Sequence, residues 1–374
     1  MMKRIAILGL WMVLLLAGCG QGAKEALPMA VAHRGCWLKA EEEFYINENC
    51  PAGVRMAAQY GYPAIECDVK YTRDSVMVLM HDATINRTMR NAADYSRIAE
   101  PVRVSELTFE ELRSRYVLAS TDPALRVPIP TLEEELLACR EYGIVPMLHS
   151  AVVESYKLAH EMLGDGFIAF DANQAALAHA RDYASGCLVL LDPGWDDAQT
   201  AIGRLASFGG PAGMSTMKYD MLDAAYIRAV KDAGYEVQAS IFPTPHEQRA
   251  LTDGVTIELS DFYWHQTEGR KPLRTLRKRG VSLDEGAVLE WWPETTPEYA
   301  GITLELEFEG TLEINLCGRS YTLEGSGRPE VFGLRLYQAE PSLVLRALAP
   351  TRLRRVRAAL YSIPGASTPG EKGR

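Results

Sequence analysis

The chain has no surplus of positive charge: 39 Lys and Arg stand against 49 Asp and Glu, a formal net charge of −10. Binding a phosphate backbone needs a basic stripe, none dominates the first 285 residues, and nucleic acid is therefore excluded as a partner. The one short basic run, residues 352–357 (RLRRVR), reads as the solvated face of a strand. Among seven cysteines there is no Cys-x-x-Cys, which removes a redox motif and a zinc knuckle. Beyond the N-terminal segment no apolar run reaches the length of a bilayer span. Disorder and fibrous repeats are also missing, because 47% hydrophobic and 24% charged residues are the proportions of a chain that buries a core.

At 374 residues the chain accommodates a barrel-sized unit and a smaller second one. Lys3 and Arg4 precede an apolar run over residues 5–17, the pattern of a secretory signal. Leu16-Ala17-Gly18-Cys19 resembles the cleavage box of bacterial lipoproteins. The resemblance implies that residues 1–19 are a signal peptide with Cys19 lipidated, and that the protein sits in the bacterial cell envelope, on the periplasmic or surface side, held to the membrane by lipid alone. In such a compartment disulfides persist; Cys36 and Cys50 flank one loop and either staple it or remain buried thiols.

From residue 29 to about residue 261, short apolar runs alternate with helical stretches, which predicts parallel strands with helices outside. Eight strands are expected, at 29–34, 64–69, 145–150, 167–172, 187–191, 211–215, 236–241 and 255–260. Helices are expected at 52–60, 132–142, 155–163, 174–183, 197–207, 221–233 and 245–252. The class is α/β, a (β/α)8 TIM barrel over residues 28–283. A ninth run, 76–81, follows the second strand by only five residues, too few for a parallel crossover, so it must return antiparallel as a hairpin. Residues 86–130 read as an insertion covering one side of the barrel mouth. After residue 283 the pattern becomes strict alternation, with Ile302, Leu304, Leu306 and Phe308 on one face and Thr303, Glu305, Glu307 and Glu309 on the other. That predicts a small antiparallel β domain of sandwich type over 285–363, followed by a disordered tail at 364–374.

The local chemistry is densest at Ile65-Glu66-Cys67-Asp68-Val69. Side chains at i and i+2 share a face, so Glu66 and Asp68 point into the barrel while Cys67 points to the helices. Two buried carboxylates side by side repel, and a cation, a shared proton or a Lys or Arg head must offset them. Hard oxygen ligands favour Mg²⁺ or Ca²⁺. The first strand ends in His33-Arg34-Gly35 and the hairpin in His81-Asp82, bringing two imidazoles and a guanidinium to the same rim. Phosphoryl transfer needs a base, an acid and cations for the phosphate oxygens; His33, His81, Arg34 and a metal match those roles.

These motifs, together with Glu48-Asn49, Asn86-Arg87-Thr88 and Pro130-Thr131-Leu132-Glu133-Glu134, stand in the order and approximate spacing of the glycerophosphodiester phosphodiesterase family, which the chain resembles over roughly residues 29–265. The resemblance implies that His33 and His81 are the acid/base pair, that Arg34 binds phosphate, that Glu66 and Asp68 ligate one divalent metal ion, and that Asp261 closes the last strand. It implies a small phosphodiester substrate, a glycerophosphodiester or a related phosphorylated lipid headgroup or glycan. The third strand departs from the family, whose Glu-x-Lys is His149 and Ala151 here. His149 as the third ligand shifts the preference toward Zn²⁺ or Mn²⁺, and Lys218 is the candidate substitute for the lost lysine. The family's Trp in the seventh strand is also missing. Trp37, Phe44 and Tyr45, in an extended loop, are read either as a substrate wall or as loop packing. A degenerate barrel that binds a phosphorylated ligand without cleaving it is the second reading. A glycosidase using Glu66 and Asp68 ranks last, because neighbours on one strand suit that chemistry poorly.

Overall fold

The computed structural model describes residues 29–40, 43–216, 224–240, 254–260, 271–293, 299–337 and 341–362. Its elements begin with β1 (Met29–Ala32), the hairpin β2 (Leu38–Ala40) and β3 (Glu43–Ile46), α1 (Pro51–Tyr60), β4 (Ala64–Tyr71) and β5 (Met77–Leu79). The insertion follows as β6 (Met89–Asn91), α2 (Phe109–Arg115) and β7 (Tyr116–Leu118). Then come α3 (Leu132–Tyr142), β8 (Val145–His149), α4 (Val153–Leu163), β9 (Ile168–Asp171), α5 (Gln174–Tyr183), β10 (Leu188–Leu191), α6 (Ala198–Ala206), β11 (Ala212–Thr216), α7 (Ala224–Asp232), β12 (Glu236–Ser240) and β13 (Ile257–Ser260).

Eight parallel strands, in the order β1-β13-β12-β11-β10-β9-β8-β4, close through β1 against β4, where Val31 lies opposite Ala64. They are the eight expected from the sequence, within a few residues at each end. Parallel strands covered by helices are buried on both faces, which is why each reads as a nearly continuous apolar run. Inside the barrel Val31, Ala64, Met147, Ile168, Phe170 and Leu190 pack together. Their alternating neighbours, among them Cys67, Leu148, Ala169 and Val189, face the helix layer with Leu136, Tyr156 and Leu177. Helix α3 starts on a capping box: the Thr131 side chain accepts from the Glu134 N–H, and the Glu134 carboxylate accepts from the Thr131 N–H.

The short return strand is antiparallel, with β5 pairing β4 in the register Val69↔Leu79 and Tyr71↔Met77. The Met80 N–H donates to the Asp68 carbonyl at 3.0 Å, so residues 80–82 are carried back beside the acidic strand end. The insertion is tied down by Asn47, whose Nδ2 donates to the Thr88 and Ala119 carbonyls at 2.8 Å each.

The C-terminal region is all β: β14 (Arg274–Leu283), β15 (Val288–Trp291), β16 (Tyr299–Leu316), β17 (Arg319–Tyr337), β18 (Leu343–Ala347) and β19 (Thr351–Ser362). Ile302, Leu304, Leu306 and Phe308 are buried, as alternation requires. Two features differ from expectation. The strands hydrogen-bond into one sheet, β14-β19-β16-β18-β15 with β17 also on β16, rather than into two. The cause is the length of β16, whose first half pairs β19 and whose second half pairs β18, with a register shift at Glu307/Phe308. The sheet also starts earlier than residue 285, because β14 pairs β19 from Arg274 onward.

No disulfide joins any two of the six cysteines among the described residues, so Cys36 and Cys50 form no staple. No described helix is long and apolar enough to cross a membrane. The expected signal segment with Cys19, Lys218, Asp261, the helix at 245–252 and the tail at 364–374 lie outside the described residues.

Candidate active site

Glu66 and Asp68 project from β4 on the face that carries Ala64 below them, and both are buried, at 2% and 4% exposure. In the parallel register Asp68 lies beside His149 at the end of β8. His149 Nδ1 is 3.1 Å from Asp68 Oδ1 and 3.7 Å from Glu66 Oε1, and its ring stacks on Phe170 at 4.5 Å between centroids. One ligand atom from each of Glu66, Asp68 and His149 lies within 4.8 Å of the others, close enough for a single ion to touch all three. An ionised carboxylate only accepts, so the proton between His149 and Asp68 belongs to Nδ1 and fills the place a cation would take.

Electrostatics divide the acid pair. Burial, and next to it the charge of Asp68, pushes the Glu66 carboxyl up to about 7, with His33, His149 and the Arg34 N–H opposing. Burial would raise Asp68 as well, but the hydrogen bond and charge of His149 and the Asn49 amide overcome it and hold that carboxyl below its ordinary range. Without an ion, Glu66 therefore keeps its proton near neutrality while Asp68 is charged, the behaviour of two acids that share too little positive charge. A bound cation would supply what is missing, and Glu66, Asp68 and His149 could hold one.

His33 is 7% exposed at the end of β1, on the face of Val31. The chain then turns through two non-glycine residues with left-handed backbone, Arg34 (φ 53°) and Asn49 (φ 53°). Such residues cost about 1–3 kcal/mol each and persist where surroundings impose them. Here the Asn49 N–H donates to the Arg34 carbonyl at 2.8 Å, and the Arg34 N–H donates to Glu66 Oε2 at 2.8 Å. Arg34 Nε is buried 3.9 Å from Asp68 Oδ2 and makes no hydrogen bond among the described residues.

His81 presents its ring from the hairpin, with Nδ1 2.8 Å from Asp82 Oδ1. The Asp82 carboxylate assigns the proton to Nδ1 and leaves Nε2 as the working nitrogen. Burial would raise Asp82, but Arg87 and His81 hold it down at about 2. The structure thus gathers His33, Arg34, Glu66, Asp68, His81 and His149 at the C-terminal rim of the barrel, where β/α loops build sites.

Sequence reasoning assigned no role to three residues found here. Asn49 holds Asp68 twice, its Nδ2 donating to Oδ2 and its Oδ1 accepting from the Asp68 N–H, both at 2.9 Å. Arg87 bridges Asp82 and Glu48, donating to Glu48 Oε1 and Oε2 at 2.7 and 2.8 Å and to Asp82 Oδ2 at 2.7 Å. Glu48 in turn accepts from Arg34 at 3.3 Å, so one chain of alternating charge runs from His81 to Arg34. Glu48-Asn49 and Arg87 were visible as motif residues, but nothing in their spacing showed whom they touch. Of the aromatics read either as a substrate wall or as loop packing, Phe44 and Tyr45 are buried, and Trp37 meets Phe44 edge-on at 6.3 Å.

Fold and site together define a (β/α)8-barrel protein whose rim carries a carboxylate pair, a third ligand and two further imidazoles. The sequence pattern of the glycerophosphoryl diester phosphodiesterase family matches residues 33–158, the span from the first histidine through β8 and into α4. Glycerophosphodiester phosphodiesterase 1 of Mus musculus is 34% identical over 118 residues, 31% of this chain and 31% of that protein. The human glycerophosphocholine phosphodiesterase is 35% identical over 97 residues, 24% of this chain and 14% of that protein. The chain thus spans about a third or less of the curated relatives it matches. A Silicibacter pomeroyi structure superposes with a TM-score of 0.51 at 18% identity, covering 65% of this chain and 92% of the other. An Oleispira antarctica phosphodiesterase, solved with the product sn-glycerol-3-phosphate, gives 0.50 at 21%, covering 63% and 93%. At such identities these two establish the barrel fold.

Proposed function

We propose that the chain is a metal-dependent phosphodiesterase acting on glycerophosphodiesters or a related phosphorylated lipid headgroup or glycan. The observation that carries this reading is the set Glu66, Asp68 and His149 with mutually close ligand atoms, flanked by His33, His81 and a guanidinium donor. Glu66, Asp68 and His149 hold the ion, which when bound polarises the phosphate and offsets its charge. Two oxygens and one nitrogen admit Mg²⁺ or Ca²⁺ and extend the choice to Mn²⁺ or Zn²⁺. The Arg34 guanidinium, partly exposed, meets a phosphate oxygen. His81, with Nδ1 tied to Asp82, takes the proton of the attacking hydroxyl at Nε2 or returns it, and His33 does the converse for the departing alcohol.

His33→Ala and His81→Ala should each abolish turnover of bis(4-nitrophenyl) phosphate with the circular dichroism spectrum unchanged; full activity in both variants removes the assignment. The replacement of the family's Glu-x-Lys by His149 and Ala151 motivates the second reading, a barrel that binds a phosphorylated ligand without cleaving it. Equilibrium dialysis separates the two, since a protein that takes up no divalent ion at micromolar concentration favours the binder. We also infer, from residues 1–19, a lipid anchor at Cys19 and a place in the bacterial cell envelope; radiolabelled palmitate incorporation that survives Cys19→Ser would contradict it.

A further inference from the structure

In the C-terminal sheet the topology joins two basic stretches that lie far apart in sequence. Strand β14 contributes Arg274, Arg277, Lys278 and Arg279, and β19 contributes a further four arginines, with no acid on either strand. The two strands pair, Arg277 opposite Arg357 and Arg279 opposite Arg355. Among the described residues the acids that pair with this band come from β16, and Asp284 and Glu285 follow the end of β14. Glu305 pairs with Arg355 and Arg357, and Glu309 pairs with Arg354. The four cations of β14, and Arg352 beside them, are exposed and have no ion pair among the described residues. Among the described residues β14 pairs only β19, so no described strand covers its outer edge. Leu273, 43% exposed, immediately precedes the row.

We propose that this edge is a docking surface for an anionic lipid bilayer. Five cations without an ion pair among the described residues are a local excess on a chain of net charge −10. Arg277 and Arg279 share one face of β14 and Arg274 and Lys278 the other. At an edge strand both pairs can reach a plane of headgroups without a pocket, and each basic residue at such a surface strengthens binding about fivefold. The acidic remainder is tolerated because repulsion fades over about 8 Å at physiological salt. A nucleic acid fits less well, since neither strand offers an exposed aromatic for base stacking and a duplex would bring its charge toward the acids of β16. Charge on an edge strand also blocks strand-to-strand association, but that role has no dependence on lipid.

The test uses the full chain carrying Cys19→Ser, so that acylation at that position cannot tether it. Flotation is measured with vesicles of phosphatidylcholine alone and of an equimolar phosphatidylcholine and phosphatidylglycerol mixture, at low and high salt. The expected result is preferential partition onto the anionic vesicles, lost at high salt and weakened about 25-fold by Arg277→Gln with Arg279→Gln. Turnover of bis(4-nitrophenyl) phosphate, or the circular dichroism spectrum if there is no turnover, should be the same in parent and variant. Equal partition onto both lipids, an unaltered variant, or retention on double-stranded DNA without flotation would each overturn the proposal.

Discussion

Glu135 offers a quantitative test of how the barrel is packed. It lies on α3, turned inward, with 0% exposure, and neither carboxylate oxygen has a hydrogen-bond partner among the described residues. Burial alone pushes this carboxyl from 4.5 up to about 8. The folded protein therefore keeps a proton that the unfolded chain releases. Below about 4.5 both states are protonated and stability is unaffected; as pH rises toward 8 the unfolded state is favoured, and above 8 the loss is complete. A span of about 3.5 pH units at about 1.4 kcal/mol per unit makes that loss up to ~5 kcal/mol, a large share of a domain's net stability. Glu135→Met removes the titration while conserving volume among the neighbouring thiols Cys50, Cys67 and Cys139, each of which the Glu135 charge helps to raise. Urea unfolding followed by circular dichroism across about pH 5 to 9 should show the parent losing stability and the variant nearly level, with the variant ahead at the alkaline end. Parallel curves, or a variant weaker at high pH, would refute the reasoning.

Other expectations concern the site. Arg87→Gln breaks the bridge between Asp82 and Glu48 and should lower kcat/KM about 10- to 100-fold while sparing metal uptake, read by steady-state kinetics alongside dialysis. Glu66 holds its proton up to about 7, and His149, which burial would lower but Asp68 and Glu66 raise, must also shed one to ligate. Divalent-ion affinity should therefore rise with pH by about tenfold per unit or more below about 7. Calorimetric titration with Mn²⁺ in buffers of different ionisation enthalpy measures both this slope and the proton released; equal affinity at about pH 6 and about pH 8 would show that Glu66 is no ligand.

The sequence by itself determined the barrel and the chemistry of its first half. Each central strand is buried on both faces, so its apolar run is local and legible, and a two-residue spacing puts Glu66 and Asp68 on one face without knowledge of anything else. The five residues before the returning run were too few for a crossover, which settled the hairpin and the place of His81. Tertiary structure decided what depends on partners distant in the chain. Asn49 reaching Asp68, Arg87 joining Asp82 to Glu48, and His149 falling beside Asp68 are contacts between separate loops and strands, set by register and backbone turns such as the left-handed Arg34 and Asn49. The same holds for the second sheet: alternation revealed the buried face of β16, but the recruitment of β14 by β19, and with it the basic edge, follows from hydrogen bonding between strands some seventy residues apart, which no local pattern encodes.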